Sequence, residues 1–252
     1  MRGILRDTPF FLSVRPMPEF IADIHWSAVI QIVVIDLLLG GDNAVVIALA
    51  CRDLDPRQRV QGIVYGTIGA IVLRTVLVAF AVVLLDLPFL KMLGGVLLLY
   101  IGIRLLQPDD AERGEVAAAD RLLSAIRTII VADLVMSIDN VVAIAGAAEN
   151  APPHHRIYLV ILGLLVSIPL VVGGSTLLLR LIERFPVIVL GGAGLLGWIA
   201  GGLIVDDPFI DRFDWLQSDL AAYLSSAVGA ALVVGVGLAI KSARAKRGAA
   251  GI

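Results

Sequence analysis

Cysteine is almost absent from this 252-residue chain, and the single one, Cys51, excludes an internal disulfide framework and any multi-cysteine metal site. With only three histidines, nothing supplies the thiolate or imidazole cluster expected for copper or zinc. Charged residues are scarce at 17%, whereas 59% of the residues are hydrophobic and the mean hydropathy is +0.94. This composition excludes a sizeable water-soluble domain, and the formal charge of −2 gives no electrostatic argument for nucleic-acid binding.

Seven apolar stretches make up most of what is present. Their approximate limits are 27–50, 60–85, 88–106, 127–148, 157–180, 185–205 and 219–240. Each is about as long as a helix that crosses a bilayer, and the stretches are apolar on every side, unlike the alternating strands of a membrane barrel. We therefore predict an all-α, polytopic membrane protein with seven transmembrane helices.

Basic residues in the loops predict the orientation of the chain. Six lysines and arginines fall on one side and thirteen on the other, and the twentieth, Arg74, lies within the second span. Because cytoplasmic loops are richer in basic residues, we expect the N-terminus outside and the C-terminus inside. Residues 1–26 are then an extracytoplasmic segment, 107–126 a cytoplasmic linker, and 206–252 an acidic outer loop, the seventh helix and a basic cytoplasmic tail. Residues 1–24 lack a convincing signal peptide, and Met17 is an alternative start.

The chain contains an internal repeat with an offset of 97 residues. Residues 32–50 (IVVIDLLLGGDNAVVIALA) align with 129–147 (IIVADLVMSIDNVVAIAGA), and ten of the nineteen positions are identical. Apolar matches arise easily by chance, but matched acids and amides within apolar helices do not. The polar matches are Asp36 with Asp133, Asp42 with Asp139, and Asn43 with Asn140.

The two repeat units, 27–106 and 127–205, each contain three predicted helices. An odd number of spans places them in opposite orientations, which predicts an inverted 3+3 repeat with a seventh helix outside it and a site near the membrane midplane. For straight helices, this arrangement places Asp36 level with Asp139, and Asp42 level with Asp133, in two layers about 9 Å apart.

Local backbone geometry adds a second expectation. Around a regular helix Asp36 and Asn43 share a face, while Asp42 points about 120° away. Gly40-Gly41, immediately before Asp42, favours local unwinding that would turn both groups inward and free backbone carbonyls. The second copy has Ser137-Ile138 at this point, which weakens the case for a symmetric break.

Buried aspartates require compensation, because a charged aspartate at the bilayer centre costs about 2.5 to 3.5 kcal/mol on insertion scales. Carboxylate and amide oxygens are hard ligands suited to Mg²⁺, Ca²⁺ or Mn²⁺, so a divalent cation is one natural partner. The alternative is that each polar side chain only hydrogen-bonds between helices. Arg74 is expected to face the acids, either as a structural counter-ion or as a gating charge that occupies the site when metal leaves.

At DLLLGGDNAVVIALA, DLVMSIDNVVAIAGAA and the arginine of GAIVLR, the chain resembles the TerC family of integral membrane proteins, in its YjbE-type branch. The resemblance runs from about Trp26 to Ile240 and implies manganese(II) export across the bacterial cytoplasmic membrane. It also implies that the metal-handling set comprises Asp36, Asp42, Asn43, Asp133, Asp139 and Asn140.

We therefore expect a secondary transporter, not an enzyme, that works without a resident cofactor and without ATP, since no GxxxxGK[ST] loop is present. Its partners would be a divalent metal ion and the lipid bilayer. Because metal binds deprotonated carboxylates, proton countertransport is a chemically convenient coupling. Two alternatives remain open. One is an intramembrane aspartyl protease, although residues 39–42 read LGGD where such enzymes carry GxGD. The other is a non-transporting membrane scaffold or insertion factor.

Overall fold

The computed structural model of the protein describes residues 26–80, 87–107, 118–149, 155–213 and 218–249. Within these ranges the chain forms helices and turns without any β-strand, which confirms the all-α prediction. Residues 1–25 and 108–117 fall outside these ranges. The predictions of an extracytoplasmic N-terminal segment and of most of the linker therefore lie outside the described residues.

The helices follow the predicted apolar stretches closely. In chain order they are α1 (Trp26–Leu39), α2 (Gly41–Cys51), α3 (Pro56–Ala79), α4 (Leu90–Leu105), α5 (Ala118–Glu149), α6 (Arg156–Arg184), α7 (Val187–Val205) and α8 (Asp219–Ala249), with a 3₁₀ turn at Ile210–Arg212. The linker predicted at 107–126 ends earlier than expected, because α5 already begins at Ala118. Alanine is the strongest helix former, and Asp120 in the first turn complements the positive end of the helix dipole.

Helix length and composition support four to six membrane-spanning segments. The helices α3, α6, α7 and the Asp219–Ala243 part of α8 are each long and apolar enough to cross a bilayer. Two further candidate spans are bent pairs of helical segments. The pair α1 and α2 meets at 54°, and within α5 the parts Ala118–Ile138 and Asn140–Ala148 meet at 64°. At sixteen residues, α4 is only about 24 Å long, less than a straight crossing needs.

The helices pack around three clusters of buried apolar side chains. The most extensive helix contacts join α7 with α8, α3 with α5, and α4 with α7. One cluster combines Ile47 of α2, Ile63 of α3, Ile129 of α5 and Leu179 of α6. Four helices from both halves of the chain therefore converge next to the duplicated polar segments.

The backbones of α7 and α8 approach each other through glycine. A Cβ atom at Gly201 would lie 2.2 Å from the carbonyl oxygen of Ser225, and one at Gly197 would lie 2.4 Å from that of Gly229. The hydroxyl of Ser225 donates a hydrogen bond of 2.7 Å to the carbonyl oxygen of Gly201. Small residues permit such close approach in membrane proteins, and here they fix α8 against the rest of the bundle.

The N-terminus of α4 is capped by an acid from a distant part of the chain. The carboxylate of Asp207 accepts hydrogen bonds from the backbone N–H groups of Phe89 at 2.8 Å and Met92 at 3.1 Å. Burial raises the pKa of Asp207, but these bonds and one from the Phe209 N–H outweigh it and hold the pKa below its ordinary value. Because Phe89 has a left-handed backbone, with φ of 68°, this cap also offsets local strain.

Replacing Gly201 with alanine should destabilise the fold, because a Cβ there meets backbone that cannot move aside. We expect the free energy of unfolding in detergent to fall by about 1 to 3 kcal/mol, the usual cost of overpacking. Gly191→Ala on the same helix is the matched control, since nothing lies within 4 Å of a Cβ there. Equal stabilities of the two variants would contradict the packing described for α7 and α8.

Candidate functional site

The first duplicated segment is a broken helix. The helix α1 ends at Leu39, Gly40 is a bend, and α2 starts at Gly41. A Cβ atom at Gly40 would lie 2.4 Å from the carbonyl oxygen of Asp36, so only glycine fits this turn. The interruption predicted at Gly40-Gly41 is therefore confirmed.

The second duplicated segment also bends, although it contains no glycine at the corresponding place. The change of direction within α5 is 64°, while the α-helical hydrogen-bonding pattern continues through it. The expectation was that Ser137-Ile138 weakens the case for a symmetric break, and the helix of the second copy indeed bends without being interrupted. At this point the Ser137 hydroxyl bonds to the side chains of Arg74 and Asp133 and not to a backbone carbonyl.

Arg74 of α3 joins the two duplicated segments. Its guanidinium donates to Asp36 of α1 and to Asp133 of α5, and its Nε donates to the hydroxyl of Ser137 at 2.9 Å. The Ser137 hydroxyl in turn donates to Asp133 Oδ2 at 3.1 Å. The side chains of Arg74, Asp36 and Asp133 are 4%, 3% and 7% exposed. Arg74 therefore faces the acids as expected, and one buried cation is shared by two buried carboxylates.

This contact brings the first acid of each copy, Asp36 and Asp133, to a single guanidinium. The prediction of two layers of acids about 9 Å apart stays a prediction, because an arginine between two aspartate side chains can join positions separated by that depth.

The polar residues that follow the first bend have oxygens without partners. Among the described residues, Asp42 Oδ1 and Asn43 Oδ1 are buried atoms that make no hydrogen bond. Asp42 still interacts electrostatically with Arg74 and Asp133. A buried acceptor without a donor is costly, so these oxygens are available for a ligand.

The corresponding residues of the second copy are placed differently. The amide of Asn140 donates a hydrogen bond of 3.2 Å to the carbonyl oxygen of Leu39, at the end of α1. One backbone carbonyl freed by the break is thereby satisfied by the other repeat. The side chain of Asp139 lies outside what the structure describes.

A small cavity lies between the two copies. Its volume is about 20 Å³, which suits one water molecule or one dehydrated ion. It is lined by polar residues from α1, α2, α3, α5 and α6, namely Asp36, Asn43, Thr67, Arg74, Asp133 and Ser167, together with apolar side chains. In this part of the chain no three histidine, cysteine, aspartate or glutamate side chains converge on one point, and Arg74 lies between two of the acids instead.

Two hydroxyl residues of the site were not predicted from the sequence. Ser137 bridges Arg74 and Asp133, and Thr67 lines the cavity. Their spacing offered a signal, because Ser137 lies one helical turn after Asp133, and Thr67 lies two turns before Arg74 on the same face. Hydroxyl residues are common in membrane helices, so type alone does not distinguish them.

Comparisons with known proteins agree with this architecture. Residues 21–248 match the family described as "Integral membrane protein TerC family". The chain is 44% identical over 186 residues to the "Uncharacterized membrane protein YjbE" of Bacillus subtilis (strain 168), which covers 74% of this chain and 83% of the relative.

More distant relatives match at lower identity. The "Uncharacterized membrane protein YceF" of Bacillus subtilis (strain 168) is 23% identical over 210 residues, covering 79% of each chain. The "UPF0053 protein YegH" of Escherichia coli (strain K12) is 25% identical over 192 residues, covering 68% of this chain and 35% of the relative. No solved structure matches. The match along most of the sequence and the several apolar helices show that this multi-pass membrane protein belongs to the TerC family.

Proposed function

We propose that this protein is a secondary transporter that exports divalent metal cations, with manganese(II) as the substrate, across the bacterial cytoplasmic membrane. Buried charge carries the proposal. Asp36 and Asp133 both bind Arg74, and Asp42 lies near enough to interact electrostatically with Arg74 and Asp133. Their formal charges sum to −2, which one divalent cation would neutralise. Manganese and the outward direction follow from the family resemblance.

The chemistry of the available oxygens supports a hard cation. Asp42 and Asn43 contribute a carboxylate and an amide oxygen that have no hydrogen-bond donor. Oxygen-only sites suit Mg²⁺, Ca²⁺ and Mn²⁺, whereas copper and zinc favour sulfur and nitrogen. The proposed metal set therefore remains Asp36, Asp42, Asn43, Asp133, Asp139 and Asn140.

We also propose that the helices form an inverted repeat of three and three, with α8 as the seventh span. Two glycine contacts support this arrangement. A Cβ atom at Gly66 of α3 would lie 2.6 Å from Ile129 of α5, and one at Gly163 of α6 would lie 2.5 Å from Ile32 of α1. Gly66 and Gly163 differ by the repeat offset of 97 residues, and so do Ile32 and Ile129. The same contact thus occurs twice with the copies exchanged, as an approximate two-fold axis requires.

The residues that line the cavity also reflect the repeat. Its lining includes three pairs of residues separated by the repeat offset, namely Asp36 with Asp133, Ala70 with Ser167, and Arg74 with Val171. A cavity lined by equivalent residues of both copies lies near the axis that relates them. In this arrangement α4 is the third span, and an odd total of seven puts the termini on opposite sides of the membrane. The bias of basic residues in the loops then favours the N-terminus outside and the C-terminus in the cytoplasm.

In the proposed cycle, Arg74 forms ion pairs with the acids when no metal is bound. An entering cation would compete with the guanidinium for Asp36 and Asp133, and its departure would return Arg74 to them. With Asp139 included, four aspartates and Arg74 sum to −3, so a divalent ion leaves one charge for a proton. This remainder supports proton countertransport.

The geometry favours transport over the two alternatives. An aspartyl protease needs two carboxylates that share a proton and activate water, whereas Arg74 joins Asp36 to Asp133. We therefore propose no enzymatic activity. Burying a polar group without a hydrogen bond is unfavourable. In a scaffold, the unpartnered buried oxygens of Asp42 and Asn43 would lower stability and have no function.

Replacing Asp42 with asparagine should reduce manganese export at least about tenfold, as loss of a metal-site group typically does. The variant keeps the size of the side chain, so folding should be retained. Manganese flux from proteoliposomes and the manganese content of cells measure the effect. Asp55→Asn, at an exposed acid beside α3, is the control. Wild-type flux in Asp42→Asn would exclude the proposed role and favour a scaffold.

Replacing Arg74 with glutamine should destabilise the metal-free protein by about 3 to 5 kcal/mol, because two buried carboxylates lose their cation. Added Mn²⁺ should then raise the melting temperature of the variant more than that of the wild type, since it no longer competes with a guanidinium. Thermal unfolding in detergent provides both values. Arg104→Gln, which removes an exposed arginine with one long hydrogen bond to Ser124, is the control. An equal response to Mn²⁺ in variant and wild type would contradict the competition.

An imposed pH gradient should change the rate of manganese transport if protons travel in the opposite direction. We expect faster export when the destination compartment is acidic, because protons there displace the metal from carboxylates. Flux into proteoliposomes with and without the gradient, at equal membrane potential, is the measurement. A flux that is the same with and without the gradient would exclude proton coupling but would not contradict manganese transport.

A further inference from the structure

The hydroxyl of Thr67 differs from those of the other threonines in the described helices. Thr75, Thr128 and Thr176 each donate a hydrogen bond of 2.8 Å to the carbonyl oxygen four residues earlier. Thr67 is 3% exposed, and its Oγ1 has no hydrogen-bond partner. Since bonding to the preceding turn is the ordinary solution for a threonine in a membrane helix, Thr67 is held in a conformation that forgoes it.

Thr67 lies beside the cavity between the two copies, so its hydroxyl can bind a ligand there. Thr67 lines the 20 Å³ cavity, and so does Asn43, whose Oδ1 is also buried and unpartnered. Along α3 the Cα of Thr67 lies about 10 Å from that of Arg74, towards the Arg52–Asp55 connection, and on the same face of the helix. The cavity thus has the ion-paired acids at Arg74 and unpartnered neutral oxygens nearer that connection.

Resting on the proposed function, we propose that Thr67 Oγ1 and Asn43 Oδ1 form a cation station of neutral oxygens, distinct from the cluster of Asp36, Arg74 and Asp133. Hydroxyl and amide oxygens are hard ligands, so the station takes a divalent cation of the Mn²⁺ class. Asp42, on the turn that carries Asn43, supplies the nearby negative charge. A cation reaches this station without first displacing Arg74, which makes it the place where the ion waits before competing for the paired acids.

The role of Thr67 is tested by removing its hydroxyl while keeping its shape. Thr67→Val and the smaller Thr67→Ala should each weaken Mn²⁺ binding roughly tenfold, the range seen when groups around a metal are removed. Thr67→Ser keeps the hydroxyl and should retain most of the wild-type affinity. Thr75→Val is the matched control on the same helix, because its hydroxyl bonds to Ile71. Calorimetric titration of the purified full chain with Mn²⁺ measures each affinity.

The outcomes separate this inference from the proposed function. Tight Mn²⁺ binding by the wild type, weakened in the valine and alanine variants and restored in the serine variant, supports the station. Equal affinities in wild type and Thr67→Val overturn the station and leave the transporter intact. Thr67→Ser binding as poorly as Thr67→Val also overturns it, because the hydroxyl is then not the ligand. A wild type that neither binds nor transports Mn²⁺ overturns both proposals.

Discussion

The structure depends on one buried arginine shared by two buried aspartates. Removing a single charge from water is unfavourable by several kcal/mol, and only close, well-directed partners offset that cost. Each of the three guanidinium nitrogens of Arg74 donates one hydrogen bond, to Ser137, Asp36 and Asp133 respectively. The interaction joins α1, α3 and α5, so it couples both duplicated segments to one helix. Any movement of one segment relative to the other must break or rebuild these bonds.

The duplicated segments are alike in sequence but are used differently. Gly40 and Ser137 occupy equivalent positions, yet Gly40 breaks its helix and Ser137 binds Arg74. Asn43 and Asn140 are also equivalent, but Asn140 donates to Leu39 while the oxygen of Asn43 has no partner. The single arginine is part of this asymmetry, because its equivalent at the repeat offset, Val171, is apolar. In the proposed transporter, a cation would meet unpartnered oxygens in the first copy and paired ones beside Arg74.

Much of this organisation could be predicted from the sequence, because it depends on local patterns. The length of the apolar stretches predicted the helices, and the two glycines before Asp42 predicted the break. The lone arginine in an apolar span predicted an ion pair with the buried acids. The sharing of Arg74 by Asp36 and Asp133 could not be predicted, since it depends on how α1, α3 and α5 pack against one another. The unpartnered hydroxyl of Thr67 could not be predicted either. Its spacing from Arg74 places it on the face of the site, but no local pattern shows that its hydroxyl lacks the backbone hydrogen bond that Thr75 makes.

In the proposed transport cycle, a resident guanidinium solves a problem that every carrier shares. A site must attract its ion strongly enough to remove its water, yet must also let the ion leave. Acids without a counter-ion in a low-dielectric core would hold a divalent cation too firmly and would be unstable when empty. If Arg74 returns to Asp36 and Asp133 as the ion departs, the empty state is stabilised by the same contacts that weaken binding. The arginine then lowers affinity and completes the cycle by one mechanism, and a duplicated set of acids needs only one such residue.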